Sequence, residues 1–488
     1  MKLFTYFGLS LIILGLAFYL RYDALDTFPL QADEATGAYF VGQALEGTYQ
    51  YNPKHFHGPT LIYFAQLSAF FSDQHTWGQL NQQTLRNVNI FAGIFLIVLV
   101  LSMYKSLGKK GSLISASLLT ASPFITYYNR IFIHESVLSL FLFLGLCFLY
   151  HFLRKPDFLK AILIGLCIGL AASTKETFVI SVFAWVVSVF LLSKKHFSFV
   201  KQNLLQLIVL CGTSLFVIFI FYTNLCNNID NFLDFFKAFW SYKTTEGHNK
   251  AFYYYFKLFA LPTTYGRLFW WEGTILFIAF CSFFVKSKRS NIRNFLFLSA
   301  CVQLIFYTLL SYKVPWLLLV PWSHFILVAA LTLTDLINKN KIYTYLGSIL
   351  CCLVLVFHLY QSNKIIHRYH SDHRNPFAYV PTSKSIVPWS SKISTLSKLS
   401  TFKGTTYVVG NDYWPLPWYL KHIHTVEYIS RPSKHLVNAP LVLAMPSMCN
   451  ELKLSLATTH QQSFQGLRNE VSMTIFIRND IWKQAYDD

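Results

Sequence analysis

Acidic residues are scarce in this chain. It has 22 Asp and Glu against 41 Lys and Arg in 488 residues, and charged residues of both signs make up only 13% of it. Hydrophobic residues account for 54%, and the mean hydropathy is +0.40. An ordinary soluble domain carries about twice this share of charged side chains. The composition therefore excludes a typical soluble fold and predicts a protein that crosses a membrane several times.

Several familiar signatures are missing too. We find no CxxC metal pattern, and no P-loop, GxSxG, GxGxxG or HExxH motif in a supporting context. Seven of the nine cysteines fall within apolar runs, and the other two, Cys226 and Cys449, need not be paired. The cations lie in short clusters between apolar runs, whereas a nucleic-acid-binding protein has a continuous basic face. A nucleic-acid partner is therefore not expected.

Apolar runs of roughly the length that crosses a bilayer recur along the first three quarters of the chain. We predict about eleven spans, at 3–20, 88–104, 112–128, 136–152, 161–172, 178–192, 204–222, 274–285, 295–310, 317–333 and 343–360. Alternate loops carry the Lys and Arg clusters, which by the positive-inside rule puts the N-terminus in the cytoplasm and the C-terminus outside. The first span lacks a small-x-small cleavage site and is expected to remain as an anchor.

The predicted fold class is an all-α polytopic membrane domain over 1–360, with a long first external loop at 21–87, and a small extracytoplasmic α/β domain over 361–488. In the latter, 405–410, 439–445 and 473–477 are typical of buried strands, and 413–422 is typical of a helix. The expected location is the cytoplasmic membrane, with the first loop and the C-terminal domain outside.

The strongest indication of chemistry is the adjacent pair Asp33 and Glu34, which follows the first span. Carboxylates beside a membrane are rare and usually functional. A general base for an extracytoplasmic transfer reaction is the leading interpretation. In the alternative, Asp33 caps a short amphipathic helix that begins near Ala35.

Three cations at predicted external span ends, Arg130, Lys175 and Lys313, form the second indication. Arg grips a phosphate bidentately and Lys supplies a point charge, so together they suit a phosphate or pyrophosphate. In the alternative, each snorkels to lipid headgroups or neutralises a neighbouring carboxylate. Other possible pocket residues share these segments or the C-terminal domain: His134, Glu135, Glu176, Tyr312, Trp316 and Trp414.

His55 and His57 form an HxH pattern in the first loop and are further possible pocket residues. No second His or Cys cluster has a telling spacing, so we expect no metal, with a divalent ion as the less favoured alternative. Asn52-Pro53 and Gly58-Pro59 are turn signals on either side, which favour an ordered loop over a site.

With these motifs in this topology, the chain resembles the GT-C glycosyltransferases, and within them glycosyltransferase family 39, the group of protein O-mannosyltransferases and aminoarabinose transferases. The segments 32–35, 311–317 and 413–420 resemble more narrowly a prokaryotic branch labelled as associated with flippase activity. A β-trefoil insertion typical of protein O-mannosyltransferases is not recognisable, which puts protein Ser or Thr as acceptor in doubt.

The resemblance implies an inverting transferase that moves a hexosyl or pentosyl group from a polyprenyl-phosphate donor to a glycan, lipid or protein acceptor outside the cytoplasm. It implies that Asp33 is the general base with Glu34 in support, and that Arg130 and Lys175 hold the lipid phosphate as it departs. Expected partners are this donor, membrane lipids, the acceptor and other proteins of envelope glycan assembly.

Two other classes remain open. A lipid-linked-sugar flippase or transporter component would move the donor without chemistry, and it would show polar mid-span residues and interrupted helices in two related halves. A structural subunit of an envelope glycan assembly would not need the acidic pair.

Overall fold

The computed structural model describes residues 2–54, 57–193, 196–241 and 249–486. Most of the described residues are helical. The helices in chain order are α1 Leu3–Tyr22, α2 Ala32–Leu45, α3 Thr60–Phe71, α4 Gln82–Ser102, α5 Tyr104–Leu107, α6 Lys109–Ala121, α7 Pro123–Tyr128, α8 His134–Arg154, α9 Phe158–Ala172, α10 Phe178–Leu192, α11 His196–Gln202, α12 Leu204–Tyr222, α13 Phe232–Ser241, α14 Tyr254–Phe259, α15 Gly273–Phe280, α16 Ser290–Leu309, α17 Leu319–Ile337, α18 Lys341–Lys364, α19 Ile386–Leu396, α20 Leu416–Tyr419, α21 Cys449–Leu456 and α22 Asn479–Tyr486.

Each of the eleven predicted spans coincides with a helix or with two consecutive ones. By length and composition, seven described segments can cross a membrane: Leu3–Thr27, Gln82–Ser102, His134–Arg154, Leu204–Tyr222, Ser290–Leu309, Pro315–Ile337 and Lys341–Tyr369. Four shorter apolar helical segments accompany them: Thr60–Phe71, Phe158–Ala172, Phe178–Leu192 and Gly273–Phe284. The chain is a multi-pass membrane protein.

The predicted span 112–128 is interrupted in the structure. Helix α6 ends at Ala121 and α7 begins at Pro123, with the Ser122 hydroxyl accepting a hydrogen bond from the backbone N–H of Ile125 at 3.3 Å. Proline at the first position of a helix costs no hydrogen bond, because that N–H has no partner inside the helix. The break matters for the site, because α7 ends two residues before Arg130.

The chain forms two compact units. The first comprises Met1–Leu25, Gln50–Ser68 and Gln83–His367. Its central helix is α17, whose apolar window is completely buried and which packs against α6, α8, α15, α16 and α18. A helix that is apolar on every side is typical of the centre of a large bundle.

The second unit comprises Asp26–Tyr49, Ala69–Gln82 and Arg368–Asp488. This division differs from 1–360 and 361–488, because part of the first loop groups with the C-terminal region. Helix α2 packs against α20, and the Leu30 backbone N–H donates to the Tyr419 hydroxyl at 2.8 Å. Sequence-distant segments therefore complete one unit.

The second unit contains a five-stranded sheet. Two further strands, β1 Thr263–Tyr265 and β2 Leu268–Trp270, form a hairpin in the first unit. The sheet consists of β3 Thr406–Val409, β4 Val426–Ile429, β5 Leu441–Ala444, β6 His460–Arg468 and β7 Val471–Arg478, in the order β4-β3-β5-β7-β6. Strands β3, β4 and β5 are parallel, whereas β7 is antiparallel to β5 and β6.

The sheet confirms the three strands predicted at 405–410, 439–445 and 473–477, and it adds β4 and β6. The helix predicted at 413–422 is wrong in extent, because α20 covers only Leu416–Tyr419. Proline at positions 415 and 417 removes two backbone donors from this run, and the peptide bond between Trp414 and Pro415 is cis. Proline inside a helix removes a backbone hydrogen bond and crowds the preceding turn, so a regular helix does not extend over the whole run.

Candidate active site

The acidic pair lies in the first turn of α2, and its two members have different environments. Helix α2 begins at Ala32 with Gln31 as the N-cap, and Glu34 Oε2 accepts a hydrogen bond from the Gln31 backbone N–H at 3.0 Å. This is a capping box, in which the third helical residue satisfies an otherwise unpaired donor. Glu34 is fully buried, whereas Asp33 is exposed. Asp33 is not the cap of a helix that begins near Ala35, so that alternative is wrong.

Asp33 acts electrostatically on a neighbour in the C-terminal part of the same unit. Burial raises the pKa of the Tyr379 hydroxyl, and the negative charge of Asp33 raises it further. Asp33 is thus a negative charge at the surface of the second unit. A carboxylate at the first turn of a helix also benefits from the positive end of the helix dipole. Such a group is accessible to a substrate hydroxyl.

Aromatic side chains surround α2 within the second unit. The Tyr39 ring lies 5.9 Å from that of Trp77 and 6.4 Å from that of Trp414, both edge-on. The Trp77 ring in turn lies 5.6 Å from that of Trp418. Trp414, a predicted pocket residue, therefore belongs to the aromatic surroundings of the helix that carries the acidic pair.

Arg130, in the turn between α7 and α8, is completely buried. Its Nη1 donates to the backbone carbonyls of Leu20 and Arg21, both at 3.0 Å. Its Nε and Nη2 have no hydrogen-bond partner among the described residues. These two atoms form one edge of the planar guanidinium, the edge that grips a carboxylate or phosphate bidentately. Buried donors without partners are rare, so this edge indicates a site for an anion.

Two more buried arginines accompany Arg130, and the sequence did not indicate them. Arg21 Nε donates to Asn129 Oδ1 at 3.0 Å, and Arg86 Nη1 donates to the Leu25 carbonyl at 2.9 Å. Burial, with the charge of Arg86 as a smaller cause, lowers the pKa of Arg130 to about 9. The sequence indicated Arg21 and Arg86 only weakly as site residues. Each lies next to or inside an apolar run, where an interfacial position is the ordinary interpretation.

Lys175 and four predicted pocket residues come together near the starts of α8 and α10. Lys175 Nζ donates to Glu135 Oε1 at 2.5 Å, and both side chains are almost fully buried. His57 Nδ1 lies 2.9 Å from Glu176 Oε2, and the His57 ring lies 5.2 Å from that of His134. Burial acts to raise the pKa of Glu176, but the charge and hydrogen bond of His57, with Lys175, hold it below its ordinary range.

The loop that carries His57 is held close to the end of α9. The Thr60 backbone N–H donates to the Ser173 carbonyl at 3.1 Å, and a Cβ on Gly58 would lie 2.1 Å from that oxygen. Glycine is therefore required at this contact. The ordered loop predicted around the HxH pattern is present on its C-terminal side, whereas His55 lies outside the described residues. Within the described ranges, no three His, Cys, Asp or Glu side chains are grouped as a metal site would need.

Lys313 is buried and bonded to the backbone. Its Nζ donates to the carbonyl of Lys250 at 3.3 Å and to that of Leu310. Tyr312 forms an isolated antiparallel bridge with Asn249, and the Trp316 ring lies 6.0 Å from that of Tyr128. These three predicted residues therefore pack the segments around α14 and α17.

Glu272 is a further buried carboxylate that the sequence did not indicate. Its Oε1 accepts hydrogen bonds from the Ser122 hydroxyl at 2.8 Å and the Phe124 backbone N–H at 2.7 Å. Its Oε2 accepts one from Trp322 Nε1 at 2.9 Å. A buried carboxylate is stable only with such donors. Glu272 fixes the start of α7 and thereby the segment that leads to Arg130.

Comparisons with known proteins agree with this architecture. Residues 57–222 match the family described as dolichyl-phosphate-mannose-protein mannosyltransferase. No curated protein sequence matches the chain significantly. The structure of ArnT from Cupriavidus metallidurans in the apo state is similar, with a TM-score of 0.68 and 13% identity over 96% of this chain and 98% of that one.

Two further solved structures extend the comparison. ArnT from the same organism bound to undecaprenyl phosphate has a TM-score of 0.63 and 12% identity over 96% of this chain and 98% of that one. The Archaeoglobus fulgidus oligosaccharyltransferase tethered with an acceptor peptide has a TM-score of 0.59 and 12% identity over 95% and 73%. The chain has the GT-C glycosyltransferase fold. The family match and the fold together support a membrane glycosyltransferase.

Proposed function

We propose that this GT-C protein transfers a sugar from a polyprenyl-phosphate donor to an acceptor hydroxyl outside the cytoplasm, with inversion at the anomeric carbon. The unfilled Nε–Nη2 edge of buried Arg130 is the observation that carries the proposal. A lipid phosphate supplies the oxygens that such an edge binds. The known binding of undecaprenyl phosphate by a protein of the same fold supports this choice.

The proposed reaction needs a base and a stabilised leaving group. Asp33 accepts the proton of the acceptor hydroxyl as its oxygen attacks the anomeric carbon, and the bond to the phosphate oxygen breaks. The lipid phosphate leaves with the bonding electrons, and positive groups lower the barrier because they are already in place where negative charge develops. Arg130 fills this role by its free edge. Lys175 is neutralised by Glu135 in this structure, so it contributes to phosphate binding only if that pair opens.

Glu34 receives a positioning role in this proposal. Its capping box fixes the first turn of α2, which carries Asp33. The orientation follows from the positive-inside rule, with the N-terminus in the cytoplasm of the cell that bears this membrane.

The deciding experiment uses the full chain in proteoliposomes with a panel of labelled polyprenyl-phosphate sugars. We expect one donor to be consumed and its sugar transferred by the wild type, and this transfer to disappear in Asp33→Asn. Asp26→Asn is the matched control, because Asp26 is also exposed in the same unit. A donor that crosses the bilayer intact, equally in all three proteins, would identify a translocase and contradict the proposal.

A further inference from the structure

The first unit contains a cavity of about 370 Å³ that the proposed reaction does not use. It is lined by residues of α4, α5, α8, α10, α16 and α17. Its wall is almost entirely apolar, with side chains such as Phe143, Leu146, Phe295 and Leu327. Polar side chains occur at one end, where Tyr150, Arg154, Ser193 and Asn291 line it.

The helix directions locate this polar end. Along α8 the lining residues run from Phe143 to Arg154, which is eleven residues, or about 16 Å of helix. This is about half the hydrocarbon thickness of a bilayer, so the cavity extends through one leaflet. Its polar end lies at Arg154, the last residue of α8, which Lys155 follows in the chain.

The wall of this cavity suits an apolar occupant better than water. Water needs two to four polar partners in a buried site, and most of this wall offers none. An empty cavity would leave its lining without dispersion contacts. Leu192, at the cavity's edge, is 47% exposed, so the cavity opens to the outside of the bundle, where lipid chains are present.

The charge at the polar end selects among lipids. Arg154 is exposed, and its guanidinium lies 4.3 Å above the centre of the Tyr150 ring. It has no carboxylate partner among the described residues. Two described acids, Asp157 before the start of α9 and Asp335 in the last turn of α17, have cations of their own: Asp157 pairs with Lys160, and Asp335 pairs with Arg293. The mouth of the cavity therefore keeps an excess positive charge.

We infer that this cavity binds an anionic glycerophospholipid, with one acyl chain between α8, α10 and α16 and the phosphate at Arg154. Basic pockets between membrane helices are suited to such headgroups. The inference does not depend on the transferase reaction, because it concerns a different end of the bundle from Arg130. A lipid bound here would fill the space between these six helices.

Native mass spectrometry of the delipidated full chain tests this inference. The probes are phosphatidylglycerol and phosphatidylcholine with identical acyl chains, and we expect one phosphatidylglycerol to be retained in preference. Arg154→Gln should lower its affinity about five- to tenfold, and Arg154→Glu more strongly, since one cation near a phosphate contributes about 1 kcal/mol. Lys288→Gln is the matched control, because Lys288 is exposed in the same set of loops without lining the cavity.

A second pair of variants tests the acyl-chain part. Leu146→Trp fills the cavity and should prevent retention of both lipids, whereas Leu144→Trp, on the same helix but outside the lining, should bind as the wild type does. Equal retention of both lipids, unchanged in the Arg154 variants, would overturn the inference. Displacement of phosphatidylglycerol by polyprenyl phosphate, with the same dependence on Arg154, would assign the cavity to the donor lipid and also overturn it.

Discussion

The two units hold their charged groups in opposite ways. The first buries Arg21, Arg86 and Arg130 completely and encloses the Lys175–Glu135 pair, whereas the second leaves Asp33 exposed at the first turn of α2. A buried charge is tolerated only with partners, so removing it affects folding as well as function. An exposed carboxylate contributes little to stability. A substitution at Asp33 should therefore change activity with little change in stability, whereas a substitution at a buried cation should change both.

The largest effect is expected at Asp33. Asp33→Asn should lower the sugar-transfer rate by about 10²- to 10⁴-fold, because a positioned general base contributes that much. The thermal midpoint in detergent should stay at the wild-type value, since the side chain is exposed. Rate and midpoint are measured on the same preparation.

Glu34→Ala is the contrasting variant for Asp33→Asn. Loss of its capping interaction should destabilise the protein by about 0.5–2 kcal/mol. A normal transfer rate in Asp33→Asn would show that the exposed carboxylate is not the base. An unfolded Asp33→Asn protein would show that Asp33, like Glu34, is needed for stability.

The next largest effect is expected for Lys175 and Glu135. Lys175→Met leaves the Glu135 carboxylate buried without its partner and should destabilise the protein by about 3–5 kcal/mol, measured by chemical denaturation in detergent. The double variant Lys175→Met/Glu135→Leu removes both charges and should recover most of that loss. Recovery of stability without recovery of donor binding would show that Lys175 also contacts the phosphate.

A smaller effect is expected for Arg130→Lys. Lysine keeps the charge but lacks the planar edge, so we expect donor affinity to fall by roughly ten- to a hundredfold, as for loss of a hydrogen bond to a charged group. Binding of labelled polyprenyl phosphate to the purified protein measures this, with Arg154→Lys as the control. Unchanged affinity would contradict the assignment of the Nε–Nη2 edge to phosphate.

The smallest effect concerns pH and Glu176. Because its pKa in the folded protein lies below the ordinary value of 4.5, the unfolded chain binds a proton first as the pH falls. The stabilisation is complete above pH 4.5 and is lost as the pH falls through the folded value. Thermal midpoints between pH 7 and pH 4 should fall less steeply in Glu176→Gln than in the wild type. If the thermal midpoints of the wild type and Glu176→Gln fell in parallel with pH, Glu176 would not contribute to the loss of stability in acid.

Features of the fold that depend on neighbouring residues could be predicted from the sequence, whereas those that depend on contacts between distant residues could not. Hydropathy is a local property, and it located a helical segment at each of the eleven predicted positions, seven of which are long and apolar enough to cross a membrane. The interruption at Pro123 was missed because the apolar run continues through it. Helix α2 was anticipated only as an alternative beginning near Ala35, because its first turn looks like a catalytic loop.

The partners of the charged residues could not be predicted. Glu272 accepts hydrogen bonds from Ser122 and Trp322, which are 150 and 50 positions away in the sequence. The periodicity of the sequence does not predict such long-range contacts. Anion binding by Arg130 was predicted from the residue's type and position. Its burial and its unfilled edge required the fold.

The hydrogen bond from Leu30 to Tyr419 joins residues that are 389 positions apart. Helix α2 precedes the long helices of the first unit in the chain, whereas the strands of its own unit follow them. During translation the acidic pair therefore emerges before those helices and lacks part of its folded surroundings while they are made. A chain stopped at residue 367 would carry every predicted span and Trp77, but it would still lack Trp414 and Tyr419, so the surroundings of the acidic pair are completed only after the membrane helices have been synthesised.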